Sequence, residues 1–108
     1  MASSAEIEKV LVDMRQAIDS GRFQPICRDK NRKTLAILGL TWKDVKEEIY
    51  ELTVRNYISG PEVDRDNPRS DYFWMFKKRI DGEIIYIKFK LMYQEDGRVK
   101  IVSLHLDE

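Results

Sequence analysis

Residues 83–108 constrain the fold more than any other stretch, because apolar and polar side chains alternate there on both sides of an Asp-Gly dipeptide at positions 96 and 97. Alternation with a period of two is the pattern of strands that bury one face, and Asp-Gly favours a two-residue hairpin turn of type I′. With such a turn Lys88 faces His105, the only histidine, and Tyr86 lies two residues along the same face. The pattern therefore predicts an antiparallel hairpin that brings a titratable ring, an ammonium and a phenol together.

A second Asp-Gly dipeptide, at positions 81 and 82, predicts another tight turn and hence a third strand. In the resulting register Trp74 faces Phe89 on the apolar side, where Leu91 and Val102 are also expected to pair. A shift by one residue would mix the two faces, so burial of the apolar side favours this register. The opposite, polar face is expected to carry Lys77, Arg79, Tyr86, Lys88, Lys90, Ser103 and His105.

The N-terminal half predicts three helices within about residues 3–52. Ser3 with Glu6, and Thr41 with Asp44, have the spacing of a capping box, and apolar residues at helical intervals follow both pairs. Between these two helices, Asp29 is expected to cap a shorter one. Glycine follows the first two helices as a stop signal.

The rest of the chain connects these helices to the strands. Residues 53–59 are expected to be extended, and residues 60–71, GPEVDRDNPRSD, to form a long loop rich in Pro, Asp and Arg. The β-meander then covers about residues 72–106. Helices followed by a meander predict a single α+β domain over residues 1–108, in which the N-terminal helices pack on one face of an antiparallel three- to four-stranded sheet.

Charge and cysteine content limit the class of function. The formal net charge is +0, but residues 72–106 contain three more basic than acidic side chains, which favours a phosphate-binding sheet face. The single cysteine, Cys27, excludes an internal disulfide and suits a cytoplasmic protein. No zinc-type spacing, run of transmembrane length or signal-peptide core is present in the sequence.

Two interpretations of the polar face are open from the residues alone. Lysine and tyrosine are ordinary on the solvated side of an antiparallel sheet, and a lone histidine there is commonly only hydrogen-bonded. Alternatively the face binds nucleic acid, with Phe73 stacked on a base and with Arg65 and Arg69 of the loop adding positive charge. In the second case the domain is either an enzyme or a non-catalytic RNA- or protein-binding module.

The order of motifs along the chain resembles a known family. The segments LGLTWKDVKEEIYELTVRNYISGP, DRD, FWMFKK, IYIKFKL and VKIVSLH follow one another as in the MqsR family of type II toxins, over about residues 35–105. Those toxins are small mRNA interferases, ribosome-independent or ribosome-assisted, with the α+β fold of RelE-like endoribonucleases. The resemblance implies metal-independent RNA cleavage, in which the 2′-hydroxyl attacks the adjacent phosphate and no cofactor takes part.

The resemblance also implies catalytic roles for the polar face. Tyr86, in the IYIK motif, matches a family active-site tyrosine that would orient the phosphate or relay a proton. Lys88 would stabilise the charge of the phosphorane, and His105 would act as the general acid, since histidine titrates near neutrality. The residues expected to bind substrate are Lys77, Arg79, Lys90, Phe73, Arg65 and Arg69.

Two positions depart from the family pattern, which has a lysine where Ser59 stands and a glutamine where Met75 stands. Positive charge at this side of the site would then come from arginines, among them those of the loop. Family membership implies two partners, an mRNA substrate and a cognate antitoxin protein that neutralises the toxin, and leaves a role for the ribosome open. The residues do not indicate which surface the antitoxin would cover.

Overall fold

The computed structural model describes residues 1–106, which form three helices and a five-stranded sheet. The elements in chain order are α1 (Ser4–Asp19), β1 (Phe23–Pro25), α2 (Asp29–Leu38), α3 (Trp42–Tyr50), a 3₁₀ turn (Val54–Asn56), β2 (Tyr57–Glu62), β3 (Phe73–Ile80), β4 (Glu83–Leu91) and β5 (Val99–Leu106). The predicted α+β class is confirmed. No helix within these residues is long and apolar enough to cross a membrane.

The sheet has the strand order β1-β5-β4-β3-β2. Neighbours from β2 to β5 are antiparallel, whereas β1 runs parallel to β5, with Phe23 opposite Val99. The prediction of a purely antiparallel three- to four-stranded sheet is therefore wrong in the number of strands and in the direction of one edge strand. β1 has three residues and ends at Pro25, so it is too short to show the alternation that identifies a strand.

Both predicted capping boxes are present at the starts of α1 and α3. Ser3 Oγ accepts from the backbone N–H of Glu6, and Thr41 Oγ1 accepts from that of Asp44. Each carboxylate in turn accepts from the backbone N–H of its cap residue. These bonds satisfy N–H groups that have no partner within the first turn of a helix.

Three local predictions differ from the structure. Arg28, not Asp29, occupies the cap position of α2, and Asp29 lies in the first turn, where it forms an ion pair with Arg32. Residues 53–59 begin with the 3₁₀ turn before they become extended. β2 continues to Glu62, so the long loop covers residues 63–72 instead of 60–71.

The core lies between the helices and one face of the sheet. Leu11 and Met14 of α1 and Ile49 of α3 are fully buried, as are Phe76 and Phe89 near the centre of the sheet. The two phenylalanine rings are stacked, with 5.4 Å between their centroids and 5° between their planes. Burial of this face leaves the opposite one, here called the open face, for polar side chains.

The β3–β4 hairpin has the predicted register at every pair, including Phe73 opposite Lys90. Asp81 and Gly82 have φ angles of 50° and 82°. Positive φ at both central residues is what a type I′ turn requires, and it fixes the register of the two strands. The hairpin predicted at Asp81 and Gly82 is therefore confirmed.

The β4–β5 hairpin has a register different from the predicted one. Tyr86 faces His105 and Lys88 faces Ser103, so the predicted direct pair of Lys88 with His105 is wrong. At these pairs the shift is two residues, and because side chains alternate with a period of two, all four stay on the open face. His105 therefore lies diagonally across the two strands from Lys88. Residues in such a diagonal pair are about 7–8 Å apart. Nearer the loop, where Leu91 faces Val99, the shift is three residues.

The connection between β4 and β5 explains this shift. Of the Asp-Gly dipeptide only Gly97 has a positive φ, 78°, so a type I′ turn is not formed. The strands are joined by a wider loop, closed by a 2.9 Å hydrogen bond from the Met92 N–H to the Arg98 carbonyl. Arg98 also donates to the Asp96 carboxylate at 2.9 Å, and Arg22 donates to the Asp96 carbonyl.

A β-bulge lies at Val102, because Lys88 pairs with Ser103 while the next residue, Phe89, pairs with Ile101. The extra residue turns Ile101 into the core, where it is fully buried, and leaves Val102 half-buried. The predicted place of Val102 on the apolar face is therefore wrong. Bulges commonly redirect side chains next to functional sites, and this one lies beside Ser103.

Helix α2 covers the edge of β5 beyond the end of β1. The side chain of Asn31 is fully buried, donates to the Val102 carbonyl at 3.2 Å and accepts from the Leu104 N–H at 3.0 Å. Thr34 Oγ1 donates to the Leu104 carbonyl at 2.9 Å. These contacts satisfy edge groups that would otherwise lack partners, and they place the first turn of α2 beside the bulge.

Candidate functional site

An open cavity of about 570 Å³ lies on the open face of the sheet. Residues of β3, β4 and β5 line it together with the loop after β2 and the start of α2. We call it the main cavity. Its side chains that can carry positive charge or donate a proton are Arg28, Lys30, Arg65, Lys88, Ser103 and His105.

Three carboxylates, those of Glu62, Asp64 and Asp66, also line the main cavity. Asp64 forms an ion pair with Lys90, so its charge is compensated. No group of three His, Cys, Asp or Glu side chains within the described part of the chain is arranged to hold a metal ion.

His105 is half-buried near the end of β5, and two contacts orient its ring. The ring is stacked on that of Tyr86, with 5.2 Å between centroids and 15° between planes. The stacking follows from the direct pairing of the two residues across β4 and β5. On its own strand, Ser103 Oγ lies 3.3 Å from Nδ1 of His105. Together these contacts limit rotation of the imidazole.

Lys88 and Phe73 form the second feature of the site. The Lys88 ammonium lies 4.3 Å from the centroid of the Phe73 ring, and the Lys90 ammonium lies 4.5 Å from the same ring. Phe73, predicted to stack on a base, thus contacts two cations. Lys88 forms no ion pair with any residue from 1 to 106, so no described carboxylate is in direct contact with its ammonium beside the main cavity.

Lys90 occupies a different environment from the one predicted. It is buried, with 5% of its surface exposed, and its ammonium donates to Asp64 at 2.8 Å and to Ser70 Oγ at 2.9 Å. The hydrogen bond from Lys90 lowers the pKa of the Asp64 carboxyl, and nearby backbone N–H groups lower it further. Lys90 therefore ties the 63–72 loop, which carries Arg65, to the sheet.

Lys77 and Arg79 lie on the open face but outside the main cavity. Both are exposed, and they line a smaller cavity of about 180 Å³ together with Arg55. Lys77 faces Tyr86 across β3 and β4. The two predicted substrate-binding residues are thus beside the stacked pair, on the β3 side.

The two arginines of the 63–72 loop line different cavities. Arg65 lines the main cavity. Arg69 lines another cavity, of about 350 Å³, and its backbone carbonyl accepts from the Gln94 side chain at 2.9 Å. Of the predicted residues, the structure therefore brings four to the main cavity: His105, Lys88, Phe73 and Arg65.

Sequence reasoning missed several residues that line the main cavity. Arg28 and Lys30 come from the start of α2, and no pattern in the sequence indicates that this helix covers the edge of β5. Ser103 was placed on the correct face, but its contact with His105 was not predicted. Glu62 and Asp66 belong to the segment predicted to be a long loop, from which only the arginines were expected at the site.

The two residues that differ from the MqsR pattern, Ser59 and Met75, are neighbours in the sheet. Ser59 faces Met75 across β2 and β3, and Met75 lines the main cavity. On its other side Met75 faces Lys88. The nearest cross-strand positive charge to these two uncharged residues is therefore that of Lys88.

Comparison of the chain with family models, with curated proteins and with solved structures gave no match. Membership of the MqsR family therefore stays a prediction from the order of motifs.

Proposed function

We propose that this chain is a metal-independent endoribonuclease that cleaves mRNA and acts in the cytoplasm as the toxin of a type II toxin–antitoxin system. The observation that carries the proposal is the His105 ring, stacked on Tyr86 and in contact with Ser103, in a cavity that Lys88 also lines. A titratable ring and an ammonium are groups suited to cleavage of a phosphodiester. The toxin role and the cognate antitoxin come from the resemblance to the MqsR family.

In the proposed reaction the 2′-oxygen of a ribose attacks the adjacent phosphorus, and the bond from phosphorus to the 5′-oxygen breaks. The 2′-hydroxyl loses its proton to a base, a role that solvent water fills here, and the 5′-oxygen gains a proton from the protein. The products are a 2′,3′-cyclic phosphate and a 5′-hydroxyl. The protein has to supply a proton donor at the leaving oxygen and positive charge at the phosphate.

The residues of the site match these requirements. His105 is the general acid that protonates the 5′-oxygen, a role typically worth about 10²- to 10⁴-fold in rate. Lys88 stabilises the negative charge that develops on the phosphorane. Tyr86 holds the His105 ring, and its hydroxyl orients the phosphate or relays a proton.

The walls of the main cavity favour an anionic polymer. Arg28, Lys30 and Arg65 lie around the same space as Lys88, and none of these four cations forms an ion pair within residues 1–106. They outnumber the two carboxylates of the cavity, Glu62 and Asp66, that are not paired with Lys90. Such a group of cations attracts the phosphates of a nucleic acid in a salt-dependent manner. The same charges would also suit the alternative function, an RNA-binding module without catalysis.

Incubation of the purified protein with single-stranded RNA in EDTA, followed by analysis of the product ends, tests the proposal. We expect products with 2′,3′-cyclic phosphate ends, and growth arrest when the protein is expressed. Lys88→Ala should lower the rate about 10²- to 10³-fold, whereas Lys43→Ala, an exposed lysine on α3, should leave it unchanged. Salt-sensitive RNA binding without cleavage by the wild type would instead support the binding module.

A further inference from the structure

We propose that Arg55, Lys77 and Arg79 form a second RNA-binding surface, which holds a phosphate adjacent to the scissile one. The inference rests on the proposed ribonuclease function. The three side chains line the cavity of about 180 Å³ at the edge of β3. β2 pairs with β3 only as far as Phe76, so β3 extends past its neighbour at this point, where the Asn56 side chain donates to the Lys77 carbonyl at 3.0 Å and the side chains of Lys77 and Arg79 stay exposed.

The surface is positively charged. All three side chains are exposed, and none forms an ion pair in the part of the chain that the structure describes. Lys78 lines the same cavity but differs, because its ammonium lies 3.1 Å from the Glu48 carboxylate and 2.8 Å from that of Glu51. Arg79 is oriented by a 3.0 Å hydrogen bond to the Gly82 carbonyl. Within residues 1–106 the surface thus has three cations without an ion-pair partner, and none of the residues that line its cavity is acidic.

The surface is continuous with the candidate active site. Lys77 lies opposite Tyr86 and Tyr86 lies opposite His105, so these residues form one row across β3, β4 and β5. Because neighbouring strands are about 4.8 Å apart, the backbone of Lys77 is about 10 Å from that of His105. Lys77 is also two residues along β3 from Met75, which lines the main cavity. A strand bound at His105 therefore passes within reach of the surface.

The position of the surface indicates the class of substrate. Arg28, Lys30 and Arg65 lie around the main cavity, and the Arg55–Lys77–Arg79 surface lies across Tyr86 from it. Single-stranded RNA that crosses between them has phosphate contacts on both sides of the scissile bond, as in other positively charged grooves that follow a nucleic-acid backbone. The preferred substrate is therefore a single strand longer than the dinucleotide that is cleaved.

The binding arm of the test uses His105→Ala protein, so that RNA is not consumed. The affinity for a single-stranded RNA of about twelve nucleotides is measured as a function of salt, with and without the additional changes Arg55→Ala, Lys77→Ala and Arg79→Ala. The triple change should weaken binding about tenfold and reduce the slope of log K against log salt by about 0.7 for each lost phosphate contact. Lys43→Ala in the same background is the matched control and should change neither quantity.

The cleavage arm uses the same three changes in protein that retains His105. We expect KM for the longer RNA to rise about tenfold with kcat within about twofold of the wild type, because the lost contacts are not made to the reacting atoms. A dinucleotide with only the scissile phosphate should be cleaved equally by both proteins. The inference is overturned if the triple variant has the RNA affinity and salt slope of the Lys43→Ala control. If the wild type cleaves no RNA, the proposed function is overturned. The binding measurements still test whether the Arg55–Lys77–Arg79 surface binds RNA.

Discussion

His105 and Tyr86 are paired directly across β4 and β5, and their rings are stacked with 5.2 Å between centroids. A stacked aromatic pair is worth about 0.5–1.5 kcal/mol beyond the burial of its area. The ring of Tyr86 therefore supports the imidazole independently of the hydroxyl. The two functions of this side chain can be separated by mutation.

Tyr86→Phe keeps the stacked ring and removes the hydroxyl. We expect kcat for RNA cleavage to fall about 10- to 100-fold, with a free energy of unfolding within about 0.5 kcal/mol of the wild type. Tyr86→Ala should reduce kcat further, because it also removes the contact that orients His105. Steady-state cleavage and urea denaturation measure the two effects. A kcat of wild-type size in Tyr86→Phe would contradict a role for the hydroxyl.

Asn31 joins α2 to the bulge beside the site. Its side chain is 0% exposed and hydrogen-bonds the carbonyls of Ile26 and Val102 and the N–H of Leu104. Asn31→Ala leaves the buried Leu104 N–H without its partner and removes one bond from the Val102 carbonyl, whereas the Ile26 carbonyl still accepts from the Arg28 N–H; the cost is about 1–3 kcal/mol for a typical unsatisfied group. We expect urea denaturation to show a loss of at least about 2 kcal/mol. The exposed Lys33 on the same helix provides the control Lys33→Ala, and an equal effect of both changes would contradict the role of Asn31.

Lys90 and Asp64 hold the loop that carries Arg65. Removal of either partner leaves the other poorly solvated without its counter-charge, so Lys90→Met and Asp64→Asn should each lower Tm. The double variant should lose less than the sum of the single losses, because the two residues act as a pair. Thermal denaturation of the four proteins measures this coupling. Strictly additive changes in Tm would show that the ion pair does not fasten the loop.

The stability that Asp64 provides depends on pH. Because its hydrogen bond to Lys90 lowers the pKa of Asp64 below the ordinary 3.8, the folded state holds the ionised form more readily than the unfolded state. This contribution is fully present above the ordinary pKa and is lost as pH falls through the lowered pKa of the folded protein. The difference in Tm between wild type and Asp64→Asn should therefore shrink below about pH 4. A difference that stays constant from neutral pH to about pH 2 would contradict this origin.

The two Asp-Gly hairpins show how far the sequence determines the sheet. Asp81 and Gly82 both adopt positive φ, so the two-residue turn forms and every pair of β3 with β4 follows by counting. Asp96 does not, and its carboxylate and carbonyl are bound by Arg98 and by Arg22, which lies 74 residues away. A contact between distant segments thus selects the wider loop. The sequence around Asp96 and Gly97 alone does not indicate this contact with Arg22.

The sequence predicts which face of the sheet carries the candidate site, but it predicts only some of the contacts within that site. Alternation placed Tyr86, Lys88 and His105 on one side of the sheet, and that placement is independent of a two-residue shift. Asn31 of α2 hydrogen-bonds the Val102 carbonyl at the bulge, and the loop that covers Lys90 contributes its partner Asp64. These are tertiary contacts, so a polar residue at an open-face position can be an anchor of the fold instead of a binding group.

The most direct test of the proposed mechanism is cleavage of single-stranded RNA in EDTA by the wild type and by His105→Ala, with the product ends identified. The mechanism predicts 2′,3′-cyclic phosphate products from the wild type and a rate lower by about 10²- to 10⁴-fold in His105→Ala, with the circular dichroism spectrum of the folded protein retained. A folded His105→Ala protein that cleaves at the wild-type rate, or a wild type that leaves RNA intact, would contradict it.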